Sequence, residues 1–137
     1  MDMTKINEAV ASFEKLLIAQ QERAERIKQD KDFVDYESLD KLIIGVCGGD
    51  GIGPIISTDA ERLLRFLLAE ELESGRVEIK NIEGLTIENR IAKNKAIPDD
   101  VLAEIKACNV ILKAPTTTLK GGTLESANVA MRRELDL

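Results

Sequence analysis

The chain has 137 residues, enough for one domain, and its composition of 44% hydrophobic and 32% charged residues is ordinary for a globular protein. Its net charge of −6 and its aromatic content of 3% argue against a nucleic-acid or anionic-membrane surface. No apolar run reaches the length of a membrane span, and acids interrupt the N-terminus where a targeting peptide would lie. A cytoplasmic protein is therefore expected.

Histidine is absent from the chain and cysteine is scarce. The absence of histidine excludes Ser-His-Asp and Cys-His catalysis by these residues alone. The two cysteines, Cys47 and Cys108, are too few for a zinc site. Each follows or ends an apolar run, so we interpret both as small buried hydrophobic residues, with a disulfide as the alternative.

The first forty residues contain neither glycine nor proline and carry a heptad pattern. Steps of three and four residues predict one helix of about 25 residues with an apolar or neutral stripe. The stripe either packs on its own subunit or forms an intersubunit coiled coil. The charged residues 28–40 then read as a linker, so residues 1–40 form a helical extension before a domain at 41–137. The stripe comprises Met3, Ile6, Val10, Phe13, Leu17, Gln20, Ala24 and Ile27.

The rest of the chain alternates apolar strands with helical segments, which predicts an α/β fold with parallel strands and flanking helices. The strands are expected at 42–47, 76–82 and 110–113. Helices are expected at about 55–74, 87–93, 97–108 and 125–137. Apolar residues of the first of these helices share one broad face: Ala60, Leu63, Leu64, Leu67 and Leu68.

A glycine-rich turn at residues 48–54 lies between a strand and a helix, where phosphate-binding loops occur. It matches neither the G-x-G-x-x-G nor the Walker pattern, and Asp50 would repel a pyrophosphate. Either the glycines serve a tight turn with positive φ, or they let the backbone approach a ligand closely.

Three polar side chains gather at the start of the last helix. Asn128 and Arg132 are four residues apart and share a face, and Ser126 lies at the helix start. A hydroxyl, an amide and a guanidinium at a helix N-terminus are suited to a carboxylate. The alternative is a serine N-cap followed by a solvated face.

Four motifs in order resemble the isocitrate and isopropylmalate dehydrogenase family over residues 42–137. They are Gly49-Asp50-Gly51-Ile52-Gly53-Pro54, Ile97-Pro98, the segment from Val110 to Thr118, and the segment from Ser126 to Leu137. The resemblance implies part of that family's fold, preceded here by the long N-terminal helix. It also implies oxidation of a 2-hydroxy acid with NAD or NADP, followed by decarboxylation with Mg²⁺ or Mn²⁺.

By resemblance, Ser126 and Asn128 match positions that hold the distal carboxylate of isocitrate, and Arg132 matches a substrate-clamping arginine. Ile52, Thr117 and Thr118 match positions near the nicotinamide end of the cofactor. A buried polar pair facing an isopropyl group would lack partners, so isocitrate is favoured over isopropylmalate, with homoisocitrate as a further alternative.

The family's catalytic tyrosine and lysine, and its metal-binding aspartates, have no counterpart among these residues. We therefore expect the chain to be an N-terminal portion of a longer dehydrogenase, inactive alone and without catalytic or metal residues of its own. The resemblance also implies a homodimer or higher homo-oligomer, with the N-terminal helix as a candidate contact. The competing interpretation is a non-catalytic regulatory or assembly subunit of a heteromeric dehydrogenase.

Overall fold

The computed structural model describes residues 2–29, 34–119, 121 and 124–137. The chain divides into two compact units, Met1–Asp35 and Tyr36–Leu137. No helix in the described part of the chain is both long and apolar enough to cross a membrane. In chain order the elements are α1 (Met3–Gln29), β1 (Leu42–Cys47), α2 (Gly53–Leu67), α3 (Ala69–Glu73), β2 (Val77–Ile82), α4 (Ile87–Ala92), α5 (Asp99–Lys106), β3 (Val110–Lys113) and α6 (Ala127–Glu134).

The helix α1 confirms the long helix predicted from the heptad pattern. The Asp2 carboxylate accepts a hydrogen bond from the Thr4 amide at 3.2 Å, which satisfies one unpaired donor of the first turn. No residue of α1 is buried. We call its apolar or neutral row, from Met3 to Ile27, the α1 stripe. The predicted linker at 28–40 lies partly outside the described residues, because positions 30–33 are not among them.

The second unit is built on a three-stranded sheet whose strands are parallel, as the alternation of strands and helices predicted, and their order is β2-β1-β3. Leu42 pairs with Val77, and Cys47 pairs with Ile82 on one side and with Lys113 on the other. Because all three strands run the same way, the residues that follow them meet at one edge of the sheet.

Packing of α5 and α6 against the sheet forms the core. Ile105 and Ala127 are almost wholly buried. Burial raises the pKa of the Cys47 thiol to about 11, with the neighbouring Cys108 adding to the shift and Lys113 opposing it. The thiol is therefore neutral at physiological pH, which confirms Cys47 as a small buried hydrophobic residue. Cys108 is half-buried, and both cysteines are free.

Two helix boundaries differ from the sequence prediction. The single helix expected at 55–74 is two helices, because Leu68 at φ −108° bends the chain while its amide still bonds the Leu64 carbonyl. The last helix stops at Glu134 rather than at 137, because Asp136 takes a left-handed φ of 57°.

The apolar face of α2 is partly exposed. Leu63 and Leu67 are 57% and 64% accessible, whereas Ala60 and Leu64 are half-buried, and in α2 only Gly53 and Ser57 are buried. The amphipathic pattern correctly predicted a helix here but did not predict which surface covers its apolar side.

Candidate substrate and cofactor site

The glycine turn lies at the carboxyl edge of the sheet and packs against the segment that follows β3. Gly49 and Gly51 have φ values of 65° and 60°, in the region that glycine adopts most readily. A Cβ on Gly49 would lie 2.1 Å from the Pro115 carbonyl oxygen, so only glycine fits there. The glycines therefore serve a tight turn with positive φ. The close approach at Gly49 is between its backbone and the Pro115 carbonyl of the same chain.

Asp50 joins this turn to two other segments. Its carboxylate accepts hydrogen bonds from the Ile87 amide at 2.8 Å and from the Thr117 amide at 2.6 Å, and a third from the Thr117 hydroxyl. Burial raises the pKa of Asp50, but the hydrogen bonds from Thr117 and Ile87 outweigh it and hold the pKa below its ordinary value. The charge that argued against pyrophosphate binding is therefore satisfied within the protein.

The stability of the chain should depend on the ionisation of Asp50. A carboxyl with a depressed folded-state pKa contributes stability above its unfolded pKa of about 3.9, and this is lost as the pH falls through the folded value. Asp50→Asn should therefore make stability fall less between about pH 5 and about pH 3 than in the unchanged chain. Urea unfolding at both pH values measures this. Asp59→Asn, an exposed aspartate of α2, is the control, and an Asp50→Asn chain with the unchanged pH dependence would contradict the assignment.

A buried arginine holds the loops around this edge together. Arg90 is 1% exposed, and its guanidinium donates to the carbonyls of Ala96, Thr117 and Glu125 at 2.8, 2.8 and 2.9 Å. Burial lowers the pKa of Arg90, with Asp50 opposing the shift, but an arginine remains charged at neutral pH. The Arg90 guanidinium therefore fixes the Thr117 segment relative to the start of α6. No motif in the sequence pointed to this residue.

Lys113, the last residue of β3, lies beside the predicted substrate residues. Its ammonium donates to the side-chain oxygen of Asn128 and, at 3.3 Å, to the Thr116 hydroxyl. Burial lowers the pKa of Lys113, Cys47 and Asp50 oppose the shift, and Arg90 adds to it. Because the lysine occupies the amide oxygen of Asn128, the amide NH₂ group is the part of that side chain left to donate. Lys113 was not among the predicted site residues. The signal in the sequence that could have identified it is a lysine at the end of an apolar strand, at the carboxyl edge of the sheet.

Ser126 and Asn128 lie at the start of α6, and Arg132 lies in its last turn, four residues after Asn128. Ser126 is the N-cap residue, but its hydroxyl makes no capping hydrogen bond. Arg132 is exposed, and its guanidinium has no ion pair or hydrogen bond with any described residue. With the Asn128 amide and the free N–H groups of the first helical turn, they form a set of uncommitted donors. Such a set is suited to an anionic ligand and leaves a solvated N-cap as the weaker interpretation.

The predicted cofactor residues belong to the two segments that the Asp50 hydrogen bonds join: Ile52 follows Asp50 in the glycine turn, and Thr118 follows Thr117 after β3. Ile52 is 61% exposed at the N-cap of α2, and Thr118 is exposed. Thr117 uses its amide and hydroxyl on Asp50 and its carbonyl on Arg90, so it positions its neighbours rather than offering free polar groups. A cavity of about 200 Å³ lies at the glycine turn, lined by Gly48, Gly49 and residues 82–86.

The residues present do not supply a metal site. Within the described ranges, no group of three or more histidine, cysteine, aspartate or glutamate side chains is arranged to hold a metal ion. Asp50, the acid of the glycine turn, has its oxygens occupied by Ile87 and Thr117. Metal-dependent chemistry at this edge would therefore need ligands from beyond these residues.

Curated relatives match the chain over most of its length. Isocitrate dehydrogenase (NADP) of Staphylococcus epidermidis is 36% identical over 115 residues, covering 83% of this chain and 26% of the relative. The same enzyme from Coxiella burnetii is 35% identical over 104 residues, covering 74% of this chain and 24% of the relative. The chain thus spans about a quarter of the length of these relatives. A scan against protein-family models finds no match.

A solved structure shares the fold. The β-decarboxylating dehydrogenase of Thermococcus kodakarensis superposes with a TM-score of 0.59 at 28% identity, over 69% of this chain and 27% of that protein. Fold and relatives together define the class as that of the β-decarboxylating dehydrogenases. Within that class, the chain belongs to the isocitrate and isopropylmalate dehydrogenase family and is most like the isocitrate dehydrogenases, which confirms the resemblance carried by its motifs.

Proposed function

We propose that the protein takes part in oxidative decarboxylation of isocitrate, with NADP or NAD as the hydride acceptor. Residues 36–137 would supply part of the substrate and cofactor sites, and the remaining catalytic and metal-binding groups would come from the rest of the family fold. The observation that carries this proposal is the set of uncommitted donors on Ser126, Asn128 and Arg132.

These three residues would bind and orient a substrate carboxylate. The Arg132 guanidinium supplies charge and two parallel donors, which a carboxylate accepts more strongly than it accepts neutral donors. Ser126 and the Asn128 amide add hydrogen bonds, and Lys113 holds the Asn128 side chain so that its NH₂ group faces the ligand. The chain thus contributes positioning of the substrate before reaction.

The same donors favour isocitrate over isopropylmalate. An isopropyl group placed against the Ser126 hydroxyl and the Asn128 amide would leave both without a partner, at a cost of roughly 1–3 kcal/mol each. The distal carboxylate of isocitrate would instead accept hydrogen bonds from both the Ser126 hydroxyl and the Asn128 amide. Homoisocitrate carries the same distal group on a longer chain and stays an alternative.

The nicotinamide end of the cofactor fits the exposed surface of Ile52 and Thr118, beside the turn that Asp50 and Thr117 hold in place. When bound, the cofactor supplies the hydride acceptor. The chain's own part is to shape this surface: Ile52 offers an apolar contact and Thr118 an uncommitted hydroxyl. The curated relatives carry NADP in their names, which supports that form.

The experiment is a titration of the isotope-labelled 137-residue chain, with backbone amide shifts followed by NMR. Isocitrate should shift the amides of residues 126–132 in a saturable way, and isopropylmalate should shift them much less at equal concentration. Asn128→Leu, which keeps the side chain's size, should remove the preference, whereas Asn89→Leu on α4 should keep it. Equal shifts from both ligands, or none at α6, would overturn the substrate assignment.

The second candidate function is a regulatory or assembly subunit of a heteromeric dehydrogenase, which the exposed stripe of α1 favours. Isocitrate-dependent reduction of NADP⁺ or NAD⁺ with Mn²⁺ is expected to be absent for the 137-residue chain under both proposals. In a protein that joins this chain to the rest of the family fold, turnover favours the catalytic role, and isocitrate binding without turnover favours the regulatory one.

A further inference from the structure

The α1 stripe presents a surface that is apolar except at Gln20 and that the candidate site does not use. Phe13 and Leu17 at its centre are 60% and 54% exposed, and the helix carries the stripe through almost four heptads. Apolar rows at heptad spacing over that length are typical of coiled coils rather than of isolated helices.

The stripe has a symmetry that fits pairing with its own copy in the opposite direction. Consider two antiparallel copies of α1 aligned so that residue 15 of one faces residue 15 of the other. Each stripe residue then faces the stripe residue of the other copy for which the two residue numbers add to 30. Large residues then face each other at the centre, and no stripe residue is left without a stripe residue opposite. Examples are Phe13 facing Leu17, Val10 facing Gln20, and Met3 facing Ile27.

The charges of α1 also favour the antiparallel direction. Residues 2–14 hold three acids and one base, a net charge of −2, and residues 15–29 hold four bases and two acids, a net charge of +2. An antiparallel copy sets each acidic half against a basic half. A parallel copy sets like against like and brings Arg23 next to the partner copy's lysine at position 28, since these occupy flanking g and e positions.

One apolar residue outside the stripe supports the same direction. Leu16 is 54% exposed and occupies a g position beside Phe13. In an antiparallel pair, g positions face g positions, so Leu16 meets its own copy near the centre and extends the apolar contact there. In a parallel pair it would face Gln21, an e position, and the apolar contact would be lost.

We propose that α1 binds α1 of a second copy of this chain as an antiparallel two-stranded coiled coil centred on position 15. The contact joins two chains independently of the candidate substrate site, so it stands whichever reaction the protein performs.

Cross-linking of the 137-residue chain with a short amine-reactive reagent tests the direction. Lys5 and Lys28 of one chain are 23 residues apart, so the helix separates them by about 35 Å, out of reach. In the antiparallel pair, Lys5 lies within about 15 Å of the other copy's residue 28. An equal mixture of isotope-labelled and unlabelled chains should therefore give Lys5–Lys28 cross-links of mixed mass. Mixed-mass Lys5–Lys5 and Lys28–Lys28 products alone, or no interchain product within α1, would overturn the proposal.

Three variants separate the stripe from its surroundings. Phe13→Glu should abolish the mixed-mass Lys5–Lys28 product, because it puts a charge against Leu17 of the other copy. Ser12→Glu adds the same charge at an exposed position outside the stripe and should leave the product unchanged. Glu14→Gln should increase the yield, because Glu14 occupies an e position that faces its own copy only in the antiparallel pair. An unchanged yield with Phe13→Glu, or a lower yield with Glu14→Gln, would contradict the model.

Discussion

Arg90→Met is expected to lower the free energy of unfolding of the chain by about 3–5 kcal/mol. Methionine replaces much of the buried aliphatic stem but donates no hydrogen bond. The carbonyls of Ala96, Thr117 and Glu125 would lose their donor together, and an unsatisfied buried acceptor costs about 1–3 kcal/mol. Because these carbonyls belong to three separate segments, the loss should also loosen the Thr117 segment from the start of α6.

Urea unfolding followed by circular dichroism measures the change, and Arg62→Met is the matched control. Arg62→Met is the same substitution at a surface position of α2. The Arg62 side chain is 79% exposed and pairs with Asp59 at 3.4 Å. A surface pair of that kind contributes less than about 1 kcal/mol. Equal, small losses for the two variants would show that the Arg90 hydrogen bonds contribute little beyond surface pairing.

The contrast between Arg90 and the strands shows how much of the fold the sequence could predict. The runs that became β1 and β3 are short, largely apolar and bounded by glycine or asparagine, a composition typical of strands in a parallel sheet, although of these two only β1 contains buried residues. Arg90 makes its contacts with backbone carbonyls, which every residue type carries. No pattern in residues 96, 117 or 125 could therefore predict that they surround an arginine.

The candidate site divides in the same way. Asn128 and Arg132 could be placed on one face of a helix from their spacing of four residues, because residues three and four apart are neighbours on a helix. The contact between Lys113 and Asn128 spans 15 residues and depends on where α6 packs against the sheet. The sequence shows that Asp50 places a charge in a turn. It does not show that the carboxylate accepts a hydrogen bond from Thr117, 67 residues away, because that contact depends on the tertiary fold.

Arg132→Gln is expected to lower kcat/KM for isocitrate about 100-fold in a protein that joins this chain to the rest of the family fold, mainly by raising KM. A factor of 100 corresponds to about 2.8 kcal/mol, within the range of a charge-assisted hydrogen-bond pair to a carboxylate. Glutamine keeps one donor and the helix propensity of the site but removes the charge and the second donor. The effect is large because the Arg132 guanidinium has no competing partner among the described residues.

Arg133→Gln is the control, since it makes the same change one position along α6. The Arg133 guanidinium donates to both carboxylate oxygens of Glu125 at 2.8 Å and approaches Glu134 at 3.3 Å, so its charge is already engaged. Its loss should alter kcat/KM by less than about threefold while costing some stability at the surface. Steady-state kinetics with isocitrate as the varied substrate decide the matter. If Arg133→Gln were the more damaging change, the carboxylate would bind on the opposite side of α6, against the cavity of about 360 Å³ that Arg133 lines, and the substrate site would have to be moved there.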